Sequence, residues 1–202
     1  MAVFGVVFGL AFFASRVTAD ELLLRWRGNI NPIWQGIAYS IGLRLAAGFL
    51  VTAMFVVLIA AGIMAPYQMQ DVNAAHSTGV ERIMGPPTAH PSPAYFWSSV
   101  ILVSFVFAGL REELWRAAFL AGVRALWPRS FQSRLGQTGA VAFAAVVFGF
   151  GHTTQGALAV LYAGLLGFGL GIVMIYHRSI WPAVIAHGMF DATSMVVMAL
   201  RH

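Results

Sequence analysis

Apolar residues in this chain fall in long blocks broken by short polar stretches. Measured against the roughly 20 apolar residues that a helix needs to cross a bilayer core, the blocks predict six spans, at 2–16, 37–65, 94–110, 140–151, 157–176 and 180–200. The first is short for a span, and the helix carrying the fourth is expected to begin earlier, near Gln137. Arg44 lies near the start of the second block and is expected to snorkel to an interface, so that the helix enters the membrane only after it. Between the second and third blocks, 66–93 holds five of the eight prolines, which no helix interior tolerates; it reads as the one sizeable extramembrane loop. One stretch breaks the pattern. Arg111, Glu112, Glu113 and Arg116 put four charges into some of the most apolar sequence present.

Composition fits this picture. With 59% hydrophobic residues, 9% charged and a mean hydropathy of +0.79, the chain falls outside the range of soluble domains and inside that of polytopic membrane proteins. The expected fold class is therefore all-α, a single transmembrane helical bundle over 1–202. No cysteine is present, which excludes disulfides and thiol chemistry. The net charge of +5 comes entirely from arginines scattered through short segments, so nucleic acid is not an expected partner and the lipid bilayer is. The first residues lack the basic region of a secretory signal and read as part of the mature protein. If six spans alternate sides, Arg16, Arg25, Arg27, Arg124, Arg129, Arg134 and Arg178 share one side, against Arg82 and Arg201 on the other. Positive charge favours the cytoplasm, which places both termini and the proline-rich loop outside, in a bacterial inner membrane.

Most titratable groups lie in loops, including Asp20, Glu21, Asp71, Glu81, His76, His90 and His177. Five lie in or beside apolar helical segments: Glu112, Glu113, His152, His187 and Asp191. Each costs on the order of 3 kcal/mol at depth, so each is a functional candidate. Glu112 and Arg116 share a helix face at i, i+4, and Glu113 is Arg116's neighbour at i, i+3, so one arginine is expected to hold both acids. His187 and Asp191 repeat the i, i+4 relation. His152 follows Gly149 and Gly151, which let another helix approach closely. Three helices thus carry polar groups that are costly in lipid, and the economical arrangement is convergence on one partly hydrated cavity. Each group has a blander reading: the acid pair as a surface ion pair where the helix leaves the bilayer, His152 as a hydrogen-bonded core histidine, the His–Asp pair as structural or proton-handling. Trp115, Trp127 and the glycines of 162–171 read as packing or interface anchors.

At these residues the chain resembles the CAAX-prenyl-protease and bacteriocin-processing (Abi) family of intramembrane proteases. The family's ordered signatures are Glu-Glu-x-x-x-Arg, Phe-x-x-x-His and His-x-x-x-Asn/Asp; here they stand at 112–116, 148–152 and 187–191. The resemblance covers about the C-terminal half, 94–200. It implies an endopeptidase acting on a membrane-associated peptide or protein, with the site open toward one leaflet or the cytoplasmic face. By the same resemblance, Glu112 is the general base, His152 helps hold the water, Glu113 and Arg116 orient that helix and tune Glu112, and His187 and Asp191 face the scissile carbonyl. Eukaryotic prenyl proteases are longer and carry asparagine at the position of Asp191, which puts prenylated substrates in doubt more than the chemistry. An ionised aspartate cannot donate to an oxyanion. It would orient His187, be protonated, or join Glu112, His152 and His187 around a divalent metal such as zinc. The metal-free and metal-assisted routes both remain open at this point, as do a membrane scaffold and a proton-coupled transporter built on the same buried charges.

Overall fold

The structure is a computed structural model that describes residues 17–65 and 92–200. The expected span over 2–16, the loop from 66 to 91 with His76 and His90, and the last two residues lie outside the described residues.

Among the described residues every regular element is helical. α1 is Asn31–Ala60, with Pro32 in the first turn, where its missing N–H leaves no bond unmade. Its 30 residues span about 45 Å, enough to cross a membrane with tilt. α2 (Pro93–Ile101), a π-helical stretch (Leu102–Leu110) and α3 (Arg111–Leu126) follow one another without a break. Ser92 caps the start by accepting from the Tyr95 N–H at 3.3 Å. Pro128 stops the helix, because it excludes the preceding Trp127 from α geometry; Trp127 sits at φ −132°, ψ 65°. The expected third span ended at 110. The real helix continues for another 16 residues, so the acid pair lies within a long helix and not where one leaves the bilayer.

Pro128–Phe131 forms the single turn α4, and α5 is Arg134–Phe150, started by the Ser133 hydroxyl accepting from the Gly136 N–H at 3.0 Å. A 3₁₀ turn at Thr153–Gln155 and Gly156 at φ 95° lead into α6, Ala157–His177. Arg178, left-handed at φ 50°, ends α6, and α7 runs Trp181–Ala199. Helices 31–60, 93–126 and 157–177 are each long and apolar enough to cross a membrane, and α5 is a shorter apolar helix.

Close packing fixes how these helices meet. A Cβ on Gly149 would stand 2.7 Å from the Val160 carbonyl and 3.3 Å from the Gly164 Cα, so α5 and α6 touch backbone to backbone. Gly151, expected to serve the same purpose, meets only carbonyls of its own helix end. α7 lies at the centre. Gly109 of the π stretch presses on the Val184 carbonyl of α7, and Gly188 leaves room for the Phe105 ring. Leu170, Val173 and Met174 of α6 form the core with Ile180, Ala183 and Val184.

The segment before α1 joins the turn between α6 and α7. The Ile180 N–H donates to the Leu23 carbonyl at 2.9 Å, the Trp181 indole to the Leu24 carbonyl at 2.7 Å, and the Ser179 hydroxyl to the Arg25 carbonyl at 2.9 Å. Arg124 reaches the same place through the Glu21 carbonyl at 2.6 Å, and Arg27 through the Arg178 carbonyl at 3.1 Å. Arg25, Arg27, Arg124 and Arg178 therefore crowd one end of the bundle. Arg44 does not snorkel as expected. Its guanidinium turns into the bundle, stacked 4.4 Å from the centroid of the Phe190 ring, and donates to the Phe190 carbonyl and the Thr193 hydroxyl of α7.

Candidate active site

The first turns of α3 and the middle of α7 face each other across the bundle, and their polar residues meet there. Glu113 and Arg116 are fully buried, and the Arg116 Nη1 donates to the Glu113 Oε2. Removing either ion from water costs several kcal/mol, so neither is tolerable without the other. α6 is shaped around this pair: a Cβ on Gly171 would come 3.4 Å from the Arg116 Cδ and 2.4 Å from a Val141 methyl. The guanidinium lies 5.2 Å from the Phe148 ring centroid, while its Nε and Nη2 have no hydrogen-bond acceptor among the described residues.

The second oxygen of Glu113 faces α7. Its Oε1 stands 3.0 Å from the His187 Nδ1. A carboxylate only accepts, so Nδ1 carries the proton and the opposite nitrogen, Nε2, is turned to the other acids. That nitrogen lies 3.7 Å from the Glu112 Oε2 and 3.9 Å from the Asp191 Oδ2. Glu112 in turn pairs with Arg111 at 3.0 Å. The expectation that Arg116 holds both acids is thus corrected. Neighbouring positions on a helix point about 100° apart, so Glu113 turns into the core with Arg116 while Glu112 takes the adjacent arginine.

His152, two residues past the end of α5 and just before the 3₁₀ turn, lines the same cavity. Its Nδ1 donates to the Phe148 carbonyl at 2.9 Å, and its ring meets the Phe148 ring edge to face at 4.8 Å. The Phe148 ring also stands 6.2 Å from the His187 ring, so one phenylalanine separates the two imidazoles and covers Arg116. The cavity measures about 560 Å³ and is walled by His152, His187 and Asp191 with mainly apolar neighbours. Asp191 lies within electrostatic range of His187, Glu112, His152 and Arg44.

All six residues singled out from the spacing, Glu112, Glu113, Arg116, His152, His187 and Asp191, therefore border one region. Arg111, Arg44 and the aromatic role of Phe148 escaped the spacing argument. Arg44's isolation in an apolar block is the signal that pointed to it, although exposure at an interface was the expected outcome. Among the described residues no three His, Asp or Glu side chains group as metal ligands. The Nδ1 atoms of His152 and His187 are engaged by a carbonyl and by Glu113, which leaves the Nε2 of each ring as the nitrogen open to the cavity.

No curated protein and no solved structure matches the chain. Residues 94–193, about half of it, match the family model of type II CAAX prenyl endopeptidases, Rce1-like. The matched stretch contains every residue of the cluster just described and excludes α1, so Arg44 comes from outside it. A protease family of the membrane accounts for apolar helices long enough to span a bilayer around a buried acid–imidazole cluster, and it implies a protein substrate. On its matched half and its three motif-bearing helices, the chain belongs to the CAAX-protease family of integral membrane endopeptidases.

Proposed function

We propose that the chain hydrolyses a peptide bond in a membrane-associated protein or peptide, using a water activated by Glu112 without a metal. The observation that carries this reading is the shared His187, bound through Nδ1 to a buried carboxylate and facing Glu112 and Asp191 through Nε2. Separations of 3.7 and 3.9 Å are too long for direct hydrogen bonds and suit a water molecule shared among the three groups.

In this reading Glu112 takes a proton from the water as its oxygen attacks the scissile carbonyl carbon. The tetrahedral oxyanion then needs donors. Protonated His187 has one N–H left after serving Glu113, and it points into the cavity. Asp191 as a carboxylate donates nothing, so it acts by facing that N–H. His152 presents its remaining ring nitrogen to the same space. Collapse of the intermediate breaks the C–N bond, and Glu112 returns the proton to the leaving amine. Glu113 is a positioning residue: held by Arg116, it fixes the tautomer and tilt of His187, much as a buried carboxylate orients a catalytic histidine elsewhere.

The test uses purified protein with two probes, a fluorogenic peptide ending in a prenylated cysteine and three further residues, and a membrane-anchored helical peptide. Glu112→Gln, His152→Ala and His187→Ala are each expected to lose cleavage while the fold survives, and a chelator is expected to change nothing. A membrane scaffold in which the charges only lock helices predicts a fully functional Glu112→Gln protein, and that outcome would overturn the assignment. Chelator-sensitive cleavage would move the chemistry to a metal.

A further inference from the structure

The two ends of the bundle differ in charge, and the cavity favours one of them. Arg25, Arg27, Arg124 and Arg178 gather at the end that carries the α6–α7 turn. Arg129 and Arg134 follow at the same end, since α4 and α5 start directly after α3 ends there. Six arginines meet only two acids, Asp20 and Glu21, at that end. At the opposite end the described residues are 61–65, 92–99, 151–157 and 194–200, and among them no lysine, arginine or acid occurs. Exposed aromatic residues ring both ends, Trp34, Trp127 and Tyr176 beside the arginines and Tyr95 and Trp97 away from them, at the positions of the two membrane–water interfaces.

The exposed part of the cavity lining lies away from the arginine cluster. Ser40, Leu170, Ala186 and His187 are buried, and so is Ala159 near the start of α6. Its exposed members are Tyr95, Val103 and Ser194, and Gln155 of the 3₁₀ turn lies at the end opposite the arginine cluster. Tyr95 opens the long helix whose other end carries Arg124, so the two mark opposite faces. Val103 lies about 12 Å further along that helix at 1.5 Å per residue, which extends the mouth sideways into the bilayer.

Arginine-rich ends stay on the cytoplasmic side of a membrane. We infer that the cavity opens away from the cytoplasm, and that its substrate is the membrane-anchored or exported segment of a protein whose scissile bond lies in the outer half of the bilayer, not a lipidated tail presented from the cytosol. The nature of the substrate rests on the protease reading given above; the orientation does not.

The natural absence of cysteine makes the test direct. Four single replacements on exposed or rim positions, Ser98→Cys and Gln155→Cys at the end opposite the arginine cluster and Ser130→Cys and Gln132→Cys beside it, are expressed in bacterial spheroplasts with a membrane-impermeant maleimide outside. Ser98→Cys and Gln155→Cys are expected to label at once, and Ser130→Cys and Gln132→Cys only after lysis. The reverse pattern, or equal labelling of both pairs before lysis, would overturn the inference. Labelling needs no cleavage, so loss of the catalytic reading would leave this result untouched. Conversely, an active enzyme with the reverse labelling would retain the chemistry and lose only the orientation.

Discussion

The chain holds arginines and acids together in two places, and by opposite means. At the arginine-rich end, Asp20 pairs with Arg25 at 2.8 Å and with Arg27 at 3.2 Å, with side chains about half exposed. Glu21 accepts from the Thr18 N–H and hydroxyl, which hold its carboxyl below the ordinary carboxylate range. A depressed value contributes order above the ordinary carboxylate range that is lost as pH falls through the depressed one, so this turn loosens only in acid. In the middle of the bundle, Glu113 and Arg116 have no exposure at all. Water screens the first set and makes each pair nearly dispensable. The second set has no water to fall back on, so losing a partner leaves a buried ion. The lesson is that a salt bridge's distance says little about its importance until its burial is known.

This contrast can be broken at several points. Glu112→Gln is expected to cut cleavage by about 10²–10⁴-fold, the usual worth of a general base, with an unfolding midpoint close to that of the parent in detergent; a large loss of stability instead would make Glu112 structural. Arg116→Ala strands the Glu113 carboxylate and is expected to cost about 3–5 kcal/mol, read as a sharp fall in the thermal midpoint or failure to purify as a monodisperse species. Gly149→Ala should destabilise by roughly 1–3 kcal/mol, because the added methyl meets the Val160 carbonyl at 2.7 Å. Gly42→Ala is its control, with nothing within 4 Å of the new atom. Arg44→Gln removes the donors to the Phe190 carbonyl and Thr193 and should cost about 1–2 kcal/mol. Asp20→Ala, at the exposed end, should change the midpoint least, by under about 1 kcal/mol.

How much was legible in advance differs between fold and site. The apolar blocks located α1, α6 and α7 to within a few residues at most of their ends, because length against bilayer thickness is a property that sequence states directly. The third helix was cut short at 110, since four charges look like an exit from the membrane when their partners are unseen. At the site, spacing placed Glu113 beside Arg116, and the structure pairs them. The same rule assigned Glu112 to Arg116 as well, and there it failed. Spacing along a helix does not say which neighbour wins, and Glu112 takes the adjacent Arg111; nor does it show a partner from elsewhere, and the His187 that meets Glu113 arrives from a segment 74 residues away.

The sequence by itself determined that this is a helical membrane protein, which groups are too costly to face lipid, and which three motifs carry them, because composition and periodicity register the cost of exposing each residue. Only the tertiary structure decided that Glu113 belongs to His187, that Arg44 turns inward onto α7, and that His152, His187 and Asp191 wall one cavity. Those outcomes depend on which helices pack side by side, and pairwise contact across a bundle is written in no local stretch of the chain.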